Sequence, residues 1–285
     1  MYKPSKNGVS AVVPCYNDGL FIKKAINSLL NQTQLPNEII IVDDGSSEPT
    51  LKVLRAFNHP LIKCIYQKNK GVSAARNAGI EKALTSFVLT LDADDYFEPS
   101  FVEKACLILK SNPEVAMVCS YYQKFDKQGI STEIIRPQGF SVEHFLVKNN
   151  GVASALFRKQ CWKFVGGYDD RFKKGYEDWD FWISILSSGW NMRVIKEPLF
   201  FYRQKANSRD KTAFNNFDRD LRLLLFNKHK QVYTDKIDYF AEQLLSENAR
   251  LRKTLKKREM SKEYRWGMAL LQPIRAIKNR LKSPE

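Results

Sequence analysis

Histidine is nearly missing from this chain, with 3 in 285 residues. His59, His144 and His229 stand far apart, which weakens any reading as an imidazole-based zinc site. Cysteine is scarce as well. Cys15, Cys64, Cys106, Cys119 and Cys161 are odd in number, lie in apolar contexts and form no CxxC pair. That pattern argues against a disulfide framework and for reduced thiols in a cytosolic compartment. Long apolar runs are also lacking. No stretch approaches the length of a membrane span, and MYKPSKNG at the N-terminus has no apolar signal core. The expectation is a chain neither exported by a signal peptide nor spanning a membrane. Acidic charge is the minority sign, 31 Asp+Glu against 46 Lys+Arg, for a net +15. Such an excess suits an anionic partner: nucleic acid, a membrane surface or a phosphorylated substrate. About half of it, +8, falls between Ser246 and Glu285, so the basic character belongs mainly to the tail.

What is present is a folded α/β pattern, with an apolar fraction of 44% that supports a sizeable core. Short β-branched runs at 9–14, 38–44, 61–66, 86–92 and 115–121 read as buried strands. Helical periodicity lies between them, at 19–31, 48–57, 73–84 and 99–111. Strand alternating with helix predicts a Rossmann-like, mostly parallel sheet flanked by helices, with ligands at the carboxyl ends of the strands. The later half is mixed: a hairpin around Gly129, a helix in FSVEHFLVKN, a strand in GVASALFRK, a glycine-bounded loop GGYDDRFKKG, a helix in EDWDFWISILSSG, and short strands MRVI and LFFYR. We assign residues 1–212 to one domain and 213–285 to a helical extension. In the extension, Ile237, Ala241, Leu244, Asn248, Leu251 and Leu255 make a short coiled-coil-like seam, which equally suits a helix packed on its own domain or a homo-oligomer. Residues 263–282 alternate Trp266, Leu270, Ile274, Ile277 and Leu281 with Arg265, Arg275, Lys278, Arg280 and Lys282. This reads as a basic amphipathic helix interrupted by Pro273, suited to an anionic membrane surface or to burial against a neighbour.

Four constellations carry chemistry. In LTLDADDYF, which begins at Leu89, a strand delivers Asp92, Asp94 and Asp95 to one place. An Asp-x-Asp at a strand end can hold Mg2+ or Mn2+ while leaving coordination positions for phosphate; Asp95 alone reads better as the cap of the next helix. In VDDGSS, Asp43 and Asp44 before Gly45 are either turn chemistry or an acceptor for the N3 hydrogen of a uracil or thymine. In KNKGVSAARNAGI, Ser73, Ala74, Ala75 and Ala78 allow close helix packing, Lys68, Lys70 and Gly71 suit a diphosphate, and Arg76 and Asn77 share one face. In GGYDDRFKKGYEDWDFW, Glu177 and Asp178 open a helix. They either complement its dipole or include a base for an attacking hydroxyl. Trp179 and Trp182 could stack on a sugar, although core packing is the commoner use of such residues.

Taken together and in order, VVPCYND, VDDGS, the N-x-G-x-x-x-A-R-N-x-G run from Asn69, LDADD and EDWDFW resemble the motifs of glycosyltransferase family 2, inverting enzymes of the GT-A fold, over about residues 8–205. The resemblance implies that Pro14 and Tyr16 line a nucleobase hydrogen-bonded by Asp43 or Asp44, with Asn69 and Arg76 completing the nucleotide pocket. It further implies Asp92 at the ribose or sugar, Asp94, with Asp92 beside it, at a divalent metal (Mn2+ or Mg2+), Asp178 as catalytic base and Glu177 as its helper toward the acceptor. One position departs from the pattern: FYRQKANS carries Lys205 where many relatives have a histidine, so the metal would rest on Asp94 and phosphate, or Lys205 would meet the diphosphate itself.

The expected reaction is inverting transfer of a hexose-type sugar from a UDP-sugar or related nucleotide-sugar donor to a saccharide or lipid-linked acceptor, in bacterial cell-surface polysaccharide or lipopolysaccharide synthesis. The protein would work in the cytoplasm, peripheral to the inner face of the cell membrane. A sugar nucleotidyltransferase should open with a glycine-rich loop, which VVPCYNDG is not, and a dehalogenase-like phosphatase usually carries its nucleophile nearer the N-terminus. A non-enzymatic nucleic-acid or anion-binding module is disfavoured by the confinement of charge to the tail.

Overall fold

The computed structural model describes residues 8–205 and 208–280, with side chains as far as Pro273. Among these residues one sheet contains β1 (Val9–Cys15), β2 (Glu38–Asp43), β3 (Ile62–Tyr66), β4 (Phe87–Thr90), β5 (Tyr96–Phe97), β6 (Val115–Phe125), β7 (Ile130–Ile135), β8 (Leu156–Arg158) and β9 (Asn191–Arg203). The order is β3-β2-β1-β4-β8-β6-β9-β5, with β7 paired to β6. From β3 to β4 the strands are parallel, as the alternating periods require. Beyond β4 the sheet is mixed: β8 is antiparallel to both β4 and β6, and β9 is parallel to β6.

The parallel half is continuous apolar sequence because helices cover both of its faces. Every residue of β1 and β2 is buried. Each Ile or Val so placed contributes about 1.5–3 kcal/mol of transfer free energy. The first four helices are α1 (Ile22–Leu30), α2 (Glu48–Arg55), α3 (Val72–Lys82) and α4 (Phe101–Ser111). Helix α3 lies tight on the sheet: a Cβ added at Gly79 would sit 2.5 Å from Val12 Cγ1. The small residues of this stretch are therefore a packing requirement. Helix α1 buries Ile22, Ala25, Ile26 and Leu29, whereas Leu20 is exposed because Asp18 to Phe21 form a turn that precedes the helix.

The mixed half departs from expectation in two places. FSVEHFLVKN forms only a 3-10 turn, Val142–Phe145, and runs on as irregular backbone. MRVI and LFFYR belong to a single long strand, β9, since register shifts opposite Ser120 and Tyr122 absorb the residues between them. Helices α5 (Lys159–Val165) and α6 (Glu177–Leu186) flank the glycine-bounded loop. Trp179 and Trp182 are buried in the core rather than offered to a sugar.

After β9 come α7 (Arg209–Lys228), α8 (Lys230–Asp235), α9 (Ile237–Glu259) and α10 (Lys262–Arg280). The chain forms two compact units, residues 1–235 and 236–285. Thus α7 and α8, although they follow residue 212, belong with the sheet, and Ala213, Leu221, Leu225 and Tyr233 are buried. In the second unit α9 buries no residue, and Leu244, Leu251 and Leu255 of its seam are exposed. Helix α10 continues through Pro273 instead of breaking there. The side chains of Ile274, Arg275, Ile277, Lys278 and Arg280, and all of Leu281 and Lys282, lie outside the described residues. No helix among the described residues is long and apolar enough to cross a membrane.

Candidate active site

The carboxyl ends of β1, β2 and β4 meet at one rim. Pro14 is buried at the end of β1, while Tyr16 is about half exposed just beyond it. At the end of β2 the two acids do different work. Asp44 is filled: it accepts from Gln67 Nε2 at 2.7 Å, Lys70 N at 2.9 Å and Gly71 N at 2.8 Å. Among the described residues Asp43 receives only long contacts, 3.2–3.3 Å, from the amides of Gly45 and Ser46. Gly45 has φ +79 and faces Asn69 N, which a Cβ would meet at 2.8 Å. Only glycine lets the chain turn here and the 67–71 loop approach so closely. Asn69, on that loop, is exposed, as are Lys68 and Lys70.

Arg76 is fully buried, and its guanidinium donates to Asp92 Oδ1 at 2.7 Å and to Glu177 Oε1 at 2.8 Å. Such an arginine organises the pocket from beneath. Asn77 is likewise turned inward. Its amide bonds to Tyr168 O and accepts from Tyr168 N and Trp162 Nε1, so it ties the glycine-bounded loop to α3. Glu177 is buried too, and the same oxygen that receives Arg76 receives Arg209 from α7. Burial pushes the Glu177 carboxyl up, but Arg209 and Arg76 outweigh it and the net shift is downward. Glu177 is an ionised hub between two guanidinium groups.

Asp178, next along the helix, has the opposite environment. It is partly exposed, and its Oδ2 accepts from Asn149 Nδ2 at 2.7 Å. Desolvation first, then the negative charges of Glu177 and Asp210, push its carboxyl up to about 7, against the opposing pull of Arg76 and Asn149. The pair is aimed by Tyr176, which sits at φ 64 in the left-handed region and is anchored through its hydroxyl to Asp218 at 2.5 Å. Bulky residues hold that conformation only when the surroundings enforce it.

The Asp-x-Asp splits in the same manner. Asp94 Oδ2 lies 2.8 Å from Lys205 Nζ, which is also 2.6 Å from Asp18 Oδ1. Burial, reinforced by Asp92, raises the Asp94 carboxyl despite the ammonium. Lys205 thus bridges two carboxylates, Asp18 and Asp94, through a single ammonium. Among the described residues no group of three or more His, Cys, Asp or Glu gathers to hold a metal. Asp95 does not cap α4, because β5 intervenes. It is buried, accepts from Arg203 N at 2.7 Å and thereby locks β4 to β9.

The sequence motifs missed Asp18 as a partner of Asp94, and missed Arg209, Asp210 and Asn149 altogether. Asp18 closes the VVPCYND motif, whereas Arg209, Asp210 and Asn149 stand in no recognisable pattern. Their places follow from long-range packing, with Asn149 on irregular backbone and Arg209 on a helix that follows the motif-bearing region.

A half-parallel, half-mixed sheet with an Asp-x-Asp at one strand end and a Glu-Asp helix start facing it is the arrangement of a GT-A glycosyltransferase. The chain belongs to glycosyltransferase family 2, whose family model, "Glycosyl transferase family 2", matches residues 10–205. It is 29% identical over 185 residues to a chondroitin synthase of Escherichia coli, covering 64% of this chain and 27% of that enzyme. It is 26% identical over 199 residues to a hyaluronan synthase of Pasteurella multocida, covering 64% of this chain and 19% of that one. The chain thus matches only a minor part of these synthases. Among solved structures, S. aureus TarS residues 1–349 in complex with UDP-GlcNAc aligns with a TM-score of 0.60 at 19% identity, covering 72% of this chain and 61% of that one. This likeness supports the fold.

Proposed function

We propose that the protein transfers a hexose-type sugar from a UDP-sugar to a saccharide or lipid-linked hydroxyl, with inversion, and that Asp178 is the base. The observation that carries the reading is the contrast within one helical turn: Glu177 ionised and buried, Asp178 reachable and raised to about 7. A base poised near working pH can take the acceptor proton as the oxygen attacks the anomeric carbon from the side opposite the diphosphate. A single displacement of this kind inverts the centre. On the donor side, Asp43 has acceptor capacity left for a uracil edge, Pro14 and Tyr16 wall the base, Asn69 of the 67–71 loop completes the nucleotide pocket, and Asp92, steered by Arg76, reaches the ribose or sugar. A divalent ion held by Asp94 and Asp18 would supply Lewis-acid stabilisation of the departing diphosphate. Lys205, whose ammonium is already at that point, would pair with a phosphate oxygen.

UDP as carrier is favoured by TarS, which crystallises with UDP and UDP-GlcNAc. A saccharide acceptor, in cell-surface polysaccharide or lipopolysaccharide assembly, is favoured by the chondroitin and hyaluronan synthases among the relatives. Attachment to the inner face of the cell membrane would fall to α10, where Trp266 and Leu270 are exposed at 70% and 71% beside Lys262 and Arg265. A panel of UDP-hexoses, scored by UDP release, tests the function. Asp178→Asn should bind UDP as the wild type does and release none from the donor the wild type uses. Undiminished release would end the assignment.

A further inference from the structure

From Leu146 to Asn149 the segment that brings Asn149 to Asp178 has neither helix nor strand to hold it, and with Phe145 before it the backbone is pinned instead at three successive carbonyls. Trp179 Nε1 of α6 donates to Phe145 O at 2.6 Å, Tyr233 Oη of α8 to Leu146 O at 3.1 Å, and an Arg222 guanidinium nitrogen of α7 to Val147 O at 2.7 Å. Two residues after Val147 stands Asn149, whose Oδ1 accepts from Gly151 N at 3.1 Å, which fixes the amide so that its NH2 faces Asp178. Arg222 also donates to Asp218 at 2.8 Å, the carboxylate that receives Tyr176 Oη. Helix α7 therefore grips both walls of the base: the 145–149 segment on one side and the start of α6 on the other. Both α7 and α8 follow residue 205, where the family match ends.

We propose that Asn149 is the positioning residue of Asp178, and that α7 and α8 form a clamp that holds it in place. The inference rests on the reading of Asp178 as base. Donating to Oδ2, Asn149 orients the carboxylate and leaves Oδ1 for the acceptor hydroxyl. It also favours the charged form, as does Arg76 of α3, against Glu177 of α6 and Asp210 of α7, which disfavour it. A group placed in this way controls how much base exists at a given pH and leaves donor binding alone.

The test uses the full chain with 13C-labelled aspartate, Asp178 being assigned by its loss in Asp178→Asn, and hydrolysis of a UDP-hexose by water as the rate probe. Asn149→Leu keeps volume and dryness but removes the donor. The Asp178 midpoint should rise by about one unit and the rate at pH about 6.5 should fall ~8-fold, recovering near pH 9, with KM for the UDP-hexose unchanged. If Asn149→Leu does not fold, Asn149→Ser, too short to reach, is read identically. Tyr233→Phe, which removes one hydroxyl, should shift the midpoint the same way by less. A midpoint that stays within about 0.3 unit in the Asn149 variant, or a rate that falls equally at every pH, overturns the positioning role. An unmoved midpoint in Tyr233→Phe overturns the clamp. Asp178→Asn with wild-type hydrolysis would instead remove the base reading, and the Asn149-dependent midpoint would survive it.

Discussion

Glu177→Gln isolates the charge at the centre of the site. The substitution keeps the shape of the side chain but leaves Arg76, fully buried, and Arg209 facing a neutral amide. Arg76 retains Asp92, so the loss is that of one partner among two, and removing one partner of a buried ion pair costs about 3–5 kcal/mol. For a unit of this size that corresponds to a fall of about 6–20 °C in Tm. A second consequence has the opposite sense. Glu177 is one of the charges that raise Asp178, so its neutralisation moves the Asp178 midpoint down from about 7, and the acid limb of any surviving activity follows to lower pH. Thermal melting followed by circular dichroism measures the first effect, and carboxyl NMR or a pH–rate profile measures the second. A variant within about 1 kcal/mol of the wild type would refute the view of Glu177 as the hub of a buried network. An upward Asp178 shift would refute the electrostatic account of the pair.

Three further outcomes are expected. Asp178 in the folded protein keeps a proton that the unfolded chain releases from its ordinary 3.8, so the associated stability is complete below about pH 4 and lost as pH rises to about 7. Asp178→Asn should therefore gain on the wild type over that window, by at most about 4 kcal/mol, in urea melts at a series of pH values; a pH-independent difference would contradict the raised carboxyl. Lys205→Ala removes the ammonium shared by Asp18 and Asp94, and calorimetry with Mn2+ alone should show tighter binding; unchanged affinity would mean that the two carboxylates do not form a cation site. A chain ending at residue 260 should no longer co-sediment with phosphatidylglycerol vesicles yet still bind UDP, and undiminished sedimentation would place the membrane contact outside α10.

The parallel half of the fold was legible because its rules are local: a β-branched run buried on both faces, then a helix of matching length, repeated. The rim acids were legible for the same reason, since each follows its strand directly. The mixed half obeys distant partners. β9 reads as two strands because Lys196 and Glu197 interrupt its apolar pattern, and only pairing with β6 shows that the ladder continues past them. Asp95 reads as a helix cap from its position, but its carboxylate is claimed by Arg203, more than a hundred residues away. Asn149 is invisible in sequence because its importance is set by three side chains on three other helices, none of which it neighbours in the chain.

The saturated carboxylate of Asp44 has a thermodynamic consequence. With three hydrogen bonds already made to the 67–71 loop, that wall is ordered during folding and asks little entropy of an arriving nucleotide. The Asp18–Lys205–Asp94 contacts are different in kind, for a phosphate must exchange with partners already in place. Discrimination between bases should accordingly be a rigid, salt-insensitive property of the protein. Grip on the phosphates should be an ion-exchange equilibrium, weakening as ionic strength rises.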